Sequence, residues 1–288
     1  MNEDLICILG PTASGKTKYA VGLSYKIGGE IISADSRQVY RGMDIGTGKD
    51  LSDYSINGTL IPYHLIDIVD AGEKYNLFRY QEDFLKAYED IRSRERQPIL
   101  CGGTGLYIEA VTKGYSLAEV PENHELRRQL EELSMEELAG RLESMKVLHN
   151  KTDIDTKKRV IRAIEIEIYQ QTHPEAGRRE GFPVNTKFIG ISVSREERVK
   201  RIDKRLKERL NGGMVEEVKA LLDSGITPED LIYYGLEYKY VTLCLLGKLS
   251  YQEMESQLAT AIHQFAKRQM TWFRGMERRG VKIKWIEV

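Results

Sequence analysis

An α/β fold, a parallel sheet flanked by helices and interrupted by a helical insertion, is predicted by three observations. Short apolar segments recur with helical stretches between them: Asp4–Gly10, Glu30–Asp35, His64–Val69, Pro98–Gly103 and Lys187–Val193. Such alternation is the pattern of strands joined by crossover helices. Two of these segments, around Ile99-Leu100-Cys101 and Phe188-Ile189-Gly190-Ile191, are continuous apolar runs, as strands buried on both faces require. Between residues 113 and 186 the strand pattern stops, and Ile154, Val160, Ile161, Ile164 and Ile168 recur at helical spacing. The predicted organisation is a sheet-based core, 1–112 with 187–288, and a helical insertion at 113–186.

The first strand leads into Gly10-Pro11-Thr12-Ala13-Ser14-Gly15-Lys16-Thr17, which satisfies G-x-x-x-x-G-K-[ST]. Its glycines let successive backbone N–H groups turn inward around anionic oxygens at a helix N-terminus. Lys16 adds a point charge, and the Thr17 hydroxyl suits a Mg²⁺ that bridges phosphate oxygens. Loop and sheet together make the core P-loop NTPase-like. The loop specifies a di- or triphosphate without saying whose.

Later elements carry their own start and stop signals. Ser134-Met135-Glu136-Glu137 and Ser194-Arg195-Glu196-Glu197 read as capping boxes, the second opening a charged helix that ends at Gly212-Gly213. Thr227-Pro228 opens a further helix with Pro in its first turn. A long helix from about Ser250 places Tyr251, Met254, Leu258, Ala261, Ile262 and Phe265 on one face, and Val281–Ile286 is a last short strand.

The chain has 288 residues, is 41% hydrophobic and 30% charged, and carries a net charge of -1. That composition excludes disordered and fibrous classes. No apolar run approaches a membrane span, and no secretory or transit segment precedes the first strand, so a cytoplasmic chain without membrane contact is expected. Cys7, Cys101 and Cys244 lie far apart in apolar surroundings, which suggests neither a zinc site nor a disulfide frame. Charge is unevenly spread. Arg195 to Arg209 holds eight Lys/Arg against four Asp/Glu, and Lys267 to Lys284 holds seven against one. With Lys157, Lys158, Arg159 and Arg162, these clusters favour a polyanionic partner.

Asp35 and Ser36 end the second strand, where a carboxylate would face the phosphate loop as a general base or acceptor-orienting group, or simply cap a turn. The following stretch, Arg37 to Lys49, has more donors and glycines than a connection needs. Cys101-Gly102-Gly103-Thr104-Gly105 is a second glycine-rich strand-to-helix turn. In it Thr104 would offer a hydroxyl to a polarised oxygen, unless the glycines serve backbone geometry alone. His64 and Asp67 would fall on opposite faces of a strand and are read as structural. Trp272 and Phe273 are read as helix-face core, and Tyr233, Tyr234, Tyr238 and Tyr240 as surface contacts.

In order and spacing, GPTASGKT, DSRQVYRGMDIGTGK, HLIDI, GGTGLY and FAKRQMTWFR resemble the tRNA dimethylallyltransferase (isopentenyltransferase) family from Gly10 to about Arg274. The resemblance implies transfer of a dimethylallyl group from its diphosphate to the exocyclic amine of the adenosine 3′ of a tRNA anticodon, with Mg²⁺. It implies that Gly10, Pro11, Thr12, Ala13, Ser14, Gly15, Lys16 and Thr17 hold the diphosphate, Thr17 carrying the metal, and that Arg205 is a further diphosphate ligand. Asp35 would take the proton from, or orient, the attacking amine. Ser36, Arg37 and Gln38 would hold the extruded adenine, and Thr104 would sit between acceptor and diphosphate. Arg127 and the segment Lys158, Arg159, Val160, Ile161 and Arg162 match positions that touch the anticodon arm. One stretch departs. Where the family has Gly-Tyr, a basic or polar residue, then Gln or Glu, this chain reads Tyr233-Tyr234-Gly235-Leu236-Glu237-Tyr238-Lys239, of which the glycine aligns and the rest only loosely. The absence of a zinc-finger tail points to a bacterial-type enzyme, expected to be a monomer.

Other readings are a nucleotide or small-molecule kinase, which the phosphate loop alone would favour, prenylation of free adenine nucleotides, and an idle RNA-binding module. ATP consumption would mark the kinase. The basic clusters and the insertion favour RNA over free nucleotides, and Lys16, Thr17, Asp35 and Thr104 together disfavour the idle module.

Overall fold

The structure, a computed structural model, describes residues 4–145, 154–174 and 184–288. In chain order, β1 (Leu5–Leu9), α1 (Lys16–Ile27) and β2 (Glu30–Ala34) are followed by a hairpin of β3 (Ser55–Ile56) and β4 (Thr59–Leu60). Then come β5 (Tyr63–His64), α2 (Leu77–Ser93), β6 (Pro98–Gly102) and α3 (Gly105–Thr112). Helices α4 (His124–Glu131), α5 (Met135–Met145) and α6 (Lys157–Thr172) precede β7 (Thr186–Ser192). Last are α7 (Arg195–Asn211), α8 (Met214–Asp223), α9 (Pro228–Tyr234), α10 (Leu236–Leu245), α11 (Tyr251–Arg278) and β8 (Ile283–Glu287). The chain divides into two compact units, Met1–Tyr115 with Phe182–Val288, and Ser116–Gly181.

The first unit is built on a six-stranded sheet in the order β5-β2-β6-β1-β7-β8, with every pairing parallel. Its central strands bury both faces. Leu5, Cys7 and Leu9 of β1 enter one core cluster while Ile6 and Ile8 enter another, the two-residue alternation of a covered sheet. Since β2, β6 and β1 are neighbours and parallel, their carboxyl ends lie side by side. Strand spacing then sets the turn after β2 about 10 Å from the loop after β1, with the turn after β6 between them. Gly102 makes this close approach possible, because a Cβ there would lie 2.2 Å from the Ala34 carbonyl oxygen.

The expected strand His64–Val69 is only Tyr63–His64 in the sheet. Leu65 (φ 61°) and Asp67 (φ 55°) are left-handed, and the backbone of Asp67, Ile68 and Val69 bonds instead to Gln38 and Val39. His64 and Asp67 therefore do not alternate along one strand. His64 Nε2 meets the buried Glu30 carboxylate at 2.8 Å, and Asp67 holds the buried ammonium of Lys49. Two hydrogen bonds from Arg94 and His64 outweigh the burial that would raise the Glu30 carboxyl, so it lies below its ordinary range.

Helix α11 opens on a complete capping box, Ser250 with Glu253, and buries Met254, Leu258, Ala261 and Ile262. Tyr251 and Phe265, expected on the same face, are exposed at 48% and 39%. The box at Ser194 is half formed. The Ser194 hydroxyl accepts the Glu197 N–H, but the Glu197 carboxylate turns to Arg201. Ser134 and Glu137 complete theirs. Phe273 is core, whereas Trp272 lies across Gly105, where a Cβ would come within 2.2 Å of the indole.

In the second unit α4, α5 and α6 pack around Leu130, Leu138, Leu142, Val160, Ile161 and Ile164. The buried carboxylate of Glu165 accepts from Arg127, Arg162 and the Asn123 N–H. Burial pushes this carboxyl up, yet those donors win and hold it below the usual range.

Candidate active site

The phosphate loop after β1 is shaped by two left-handed residues, Ala13 (φ 61°) and Gly15 (φ 84°). Gly10 is needed for contact, since a Cβ there would lie 2.5 Å from the Ile191 carbonyl oxygen. Gly15 caps α1 without a side-chain bond, so the N–H groups of Gly15, Lys16 and Thr17 are first-turn donors with no acceptor inside the helix. The Ser14 hydroxyl is buried without a hydrogen-bond partner. Burial lowers the Lys16 ammonium from its ordinary value, and Arg205 adds to this against the opposing pull of Cys101 and Asp35.

Two loop N–H groups are already committed, that of Ser14 to the Pro11 carbonyl within the loop and that of Thr12 to a distant side chain. The Thr12 N–H donates to Gln269 Oε1 at 2.8 Å, while Gln269 Nε2 donates to the Gly103 carbonyl at 3.0 Å. A single buried amide from α11 thus ties the phosphate loop to the turn after β6.

At the end of β2, Asp35 Oδ1 accepts the Arg37 N–H at 2.9 Å, and the Ser36 N–H donates to Thr104 Oγ1 at 3.2 Å. Thr104 is the N-cap of α3 but leaves that role unused, its hydroxyl bonding across to the β2 turn. The Gln38 amide accepts from Ser33 and donates to the Gly48 carbonyl, which fastens the β2 turn to the loop that follows. That loop is fixed from the far side by Glu217 of α8. Its carboxylate accepts the N–H groups of Asp44, Ile45 and Gly46 at 2.7 to 3.0 Å and the Tyr238 hydroxyl at 2.7 Å.

These turns enclose a cavity of about 260 Å³. Thr12, Lys16, Asp35, Ser36, Arg37, Thr104 and Arg205 line it, so seven of the residues expected in the core's site converge. Thr17 and Gln38 are not among the residues that line it; Thr17 follows Lys16 on the first turn of α1. Leu236, Ile262 and Phe265 give the cavity an apolar side. Arg209, Glu237 and Gln269 also line it, and the sequence alone does not single them out. The signal available for Gln269 is a polar residue one turn beyond the buried stripe of α11; for Arg209 it is the four-residue spacing from Arg205 on one helix face.

The tyrosines divide. Tyr234 and Tyr238 are each 1% exposed and so are core rather than surface, while Tyr233 is exposed, with the Arg37 guanidinium 5.5 Å from its ring centre. The divergent segment Tyr233 to Lys239 forms the junction of α9 and α10. Gly235 there, at φ 144° and ψ -173°, occupies a conformation open essentially to glycine alone.

In the helical unit the expected RNA residues separate as well. Val160 and Ile161 are buried in the three-helix core and present no side chain outward, so of the expected segment only the backbone at these two positions is left for a contact. Arg127 and Arg162 are held on Glu165, Arg127 also on Glu122 and Arg162 on the Val120 carbonyl. Lys158 and Arg159 face solvent on the first turn of α6.

A family model described as IPP transferase matches residues 38–276, and one described as isopentenyl transferase matches residues 3–66. The chain is 63% identical over 285 residues to a tRNA dimethylallyltransferase 2 of Bacteroides fragilis, covering 99% of this chain and 92% of that protein. The chain belongs to the tRNA dimethylallyltransferase family. A tRNA dimethylallyltransferase 1 of Parabacteroides distasonis is 61% identical over the same length and coverage. Among solved structures, the full-length tRNA isopentenylpyrophosphate transferase of Bacillus halodurans superposes with a TM-score of 0.71 at 32% identity, over 99% of this chain and 90% of that one. A eukaryotic dimethylallyltransferase acting on tRNA gives a TM-score of 0.79 at 25% identity, over 98% and 73%. The architecture expected of the family, a P-loop-like parallel sheet flanked by helices, is the one observed. Among the described residues, no helix is long and apolar enough to cross a membrane.

Proposed function

We propose that this dimethylallyltransferase moves the prenyl group from dimethylallyl diphosphate to the exocyclic amine of the adenosine 3′ of a tRNA anticodon. The supporting observation is the convergence of Lys16, Thr104 and Asp35 on one cavity with a polar end at the phosphate loop and an apolar side at Leu236, Ile262 and Phe265. The diphosphate lies against the helix N-terminus, Lys16 and Arg205, and the five-carbon chain against the apolar side. As the carbon–oxygen bond breaks, charge builds on the departing diphosphate, and fixed donors stabilise it without reorganising. Desolvated Lys16 gains most from that charge.

The adenine amine is a poor nucleophile, so alignment against the allylic carbon supplies much of the acceleration. Asp35, its carboxylate anchored by the Arg37 N–H, takes the proton that the amine loses on forming the new carbon–nitrogen bond. Thr104 separates the acceptor from the diphosphate. The base leaves its stack to enter, and Arg37 and Ser36 stand at the rim to hold it.

Among the described residues no group of three or more His, Cys, Asp or Glu side chains could hold a metal. The Thr17 hydroxyl, next to Lys16 on the first turn of α1, would be the protein oxygen offered to a cation that diphosphate oxygens and water would otherwise hold. Such an all-oxygen set fits Mg²⁺, which when bound neutralises leaving-group charge. The decisive experiment is mass analysis of nucleosides from tRNA incubated with the protein, Mg²⁺ and dimethylallyl diphosphate. Isopentenyladenosine is expected. Unmodified RNA together with phosphate transfer from ATP would overturn the reading.

A further inference from the structure

We propose that Arg209 is a second guanidinium of the donor subsite and, with Arg205, grips the diphosphate. This rests on the reading of the cavity as a diphosphate site. Arg205 and Arg209 lie one turn apart on α7 and converge on Gly48, where a Cβ would lie 2.0 Å from one terminal nitrogen and 1.9 Å from the other. The two like charges are thus close neighbours. The one carboxylate in ion-pair range of both is wet: Asp50, 59% exposed, is 3.8 Å from Arg205 and 4.0 Å from Arg209, while the Glu237 carboxyl acts on both from further away.

Arg209 is the more buried of the two, with a side chain 14% exposed against 33%. Its Nη2 is buried without a hydrogen-bond partner, and the residue lines the cavity together with Thr12 and Lys16. A buried guanidinium nitrogen left unbonded is costly, and the cost is tolerated when a ligand completes it. Burial, then the neighbouring Arg205, lower the Arg209 guanidinium to about 10. Glu237 and Asp50 oppose this without cancelling it. An arriving dianion supplies what is missing, an acceptor toward which the Arg209 guanidinium can turn and a charge between the two cations. Glu237, on the first turn of α10 and itself pushed up by burial, is the nearby carboxyl that tempers Arg209 until then. It falls within the segment where this chain departs from its family's usual residues, so the guanidinium and the departure belong to one local arrangement.

The role separates from a structural one by sign. A structural arginine destabilises the protein when removed, whereas removing an uncompensated buried charge relieves the free protein. The test measures inorganic pyrophosphate binding by calorimetry, with Mg²⁺, in wild type, Arg209→Met and Arg209→Lys, alongside ligand-free melting temperatures. Expected are binding weaker by about tenfold or more in Arg209→Met, an intermediate loss in Arg209→Lys, and ligand-free melting at or above wild type. Affinity for an anticodon stem-loop stays unchanged. Undiminished pyrophosphate binding in Arg209→Met, or a markedly lower melting temperature with binding retained in Arg209→Lys, overturns the assignment. Failure of the wild type to bind pyrophosphate would instead remove the reading of the cavity itself.

Discussion

Gln269 and Thr12 stand 257 residues apart, yet the Gln269 amide oxygen receives the Thr12 N–H at 2.8 Å. Through its other end the same amide holds Gly103, so α11 sets the distance between the two glycine-rich turns that face the cavity. Gln269→Leu leaves a buried donor and a buried acceptor without partners, at a cost of about 1–3 kcal/mol each. The expected result is a lower melting temperature with a donor KM raised about tenfold. Gln269→Glu keeps the acceptor for Thr12 but puts a negative charge beside the anion site and should weaken donor binding further. Steady-state kinetics with the prenyl diphosphate varied checks both, and a normal KM in Gln269→Leu would show that the loop holds its shape unaided.

Asp35→Asn retains the Oδ1 acceptor for the Arg37 N–H, so the β2 turn survives and only the proposed base disappears. Turnover should fall by about a hundredfold or more while RNA affinity stays near normal. Single-turnover rates and filter binding read the two separately. Near-normal turnover would mean that the amine's proton leaves by another route.

Glu217 fastens residues 44–46 through three backbone N–H groups, and Gly46 passes so close to Tyr238 that a Cβ would lie 2.7 Å from its ring. Glu217→Ala unpins this segment, of which Gly46 and Thr47 line the cavity. Faster amide hydrogen exchange over residues 44–48 is expected, with a rise in substrate KM larger than the fall in kcat. Exchange as slow as in wild type would assign the anchoring to Lys49, buried between Asp44 and Asp67.

The cysteines give a pH-dependent prediction. Burial, more than its neighbour Asp35, pushes the Cys101 thiol up to about 11, and burial raises Cys7 well above its ordinary value. Raised thiols stay protonated, and so unreactive, until pH climbs through those values. At pH 8, iodoacetamide should label the half-buried Cys244 and spare Cys7 and Cys101 in the folded protein, as peptide mass mapping would show. Rapid labelling of Cys101 at that pH would reveal opening of the sheet beside the phosphate loop.

What the amino-acid order discloses by itself depends on whether a residue's role is local. The phosphate loop, Asp35 and Thr104 follow strand ends, and parallel strands bring such ends together whatever the detailed packing. Strand limits at β1, β2 and β6 agree to one residue because continuous apolar runs end abruptly at glycine or aspartate. Roles set by distant partners are not visible in this way. Gln269 is a polar position in an amphipathic helix until Thr12 and Gly103 are placed beside it. Glu217 looks like one of several surface acids. Tyr234 and Tyr238 read as surface residues yet are core, because their hydroxyls find Gly72, Glu73 and Glu217, which lets phenols enter an apolar interior. In α6 the matched positions Lys158 to Arg162 read as one surface, although helical spacing sends Val160 and Ile161 inward.

That division of α6 decides which substitutions test RNA binding cleanly. Arg162 and Arg127 bind the buried Glu165, so removing either takes away one of its two counter-charges and leaves the other with the Asn123 N–H, at a cost of about 1–3 kcal/mol of stability in the helical unit. Weaker RNA affinity in those variants would confound folding with recognition. Lys158→Ala with Arg159→Ala takes two exposed cations from the first turn of α6 and leaves its core intact. Each phosphate that is no longer neutralised lowers the slope of log affinity against log salt by about 0.7–0.9, so the double variant should bind tRNA more weakly with a slope reduced by about 1–2. Pyrophosphate binding should not change, because the cavity proposed for the donor lies wholly within the sheet-based unit. A salt slope equal to that of wild type would shift the RNA-binding surface to the basic residues of α7 and α11.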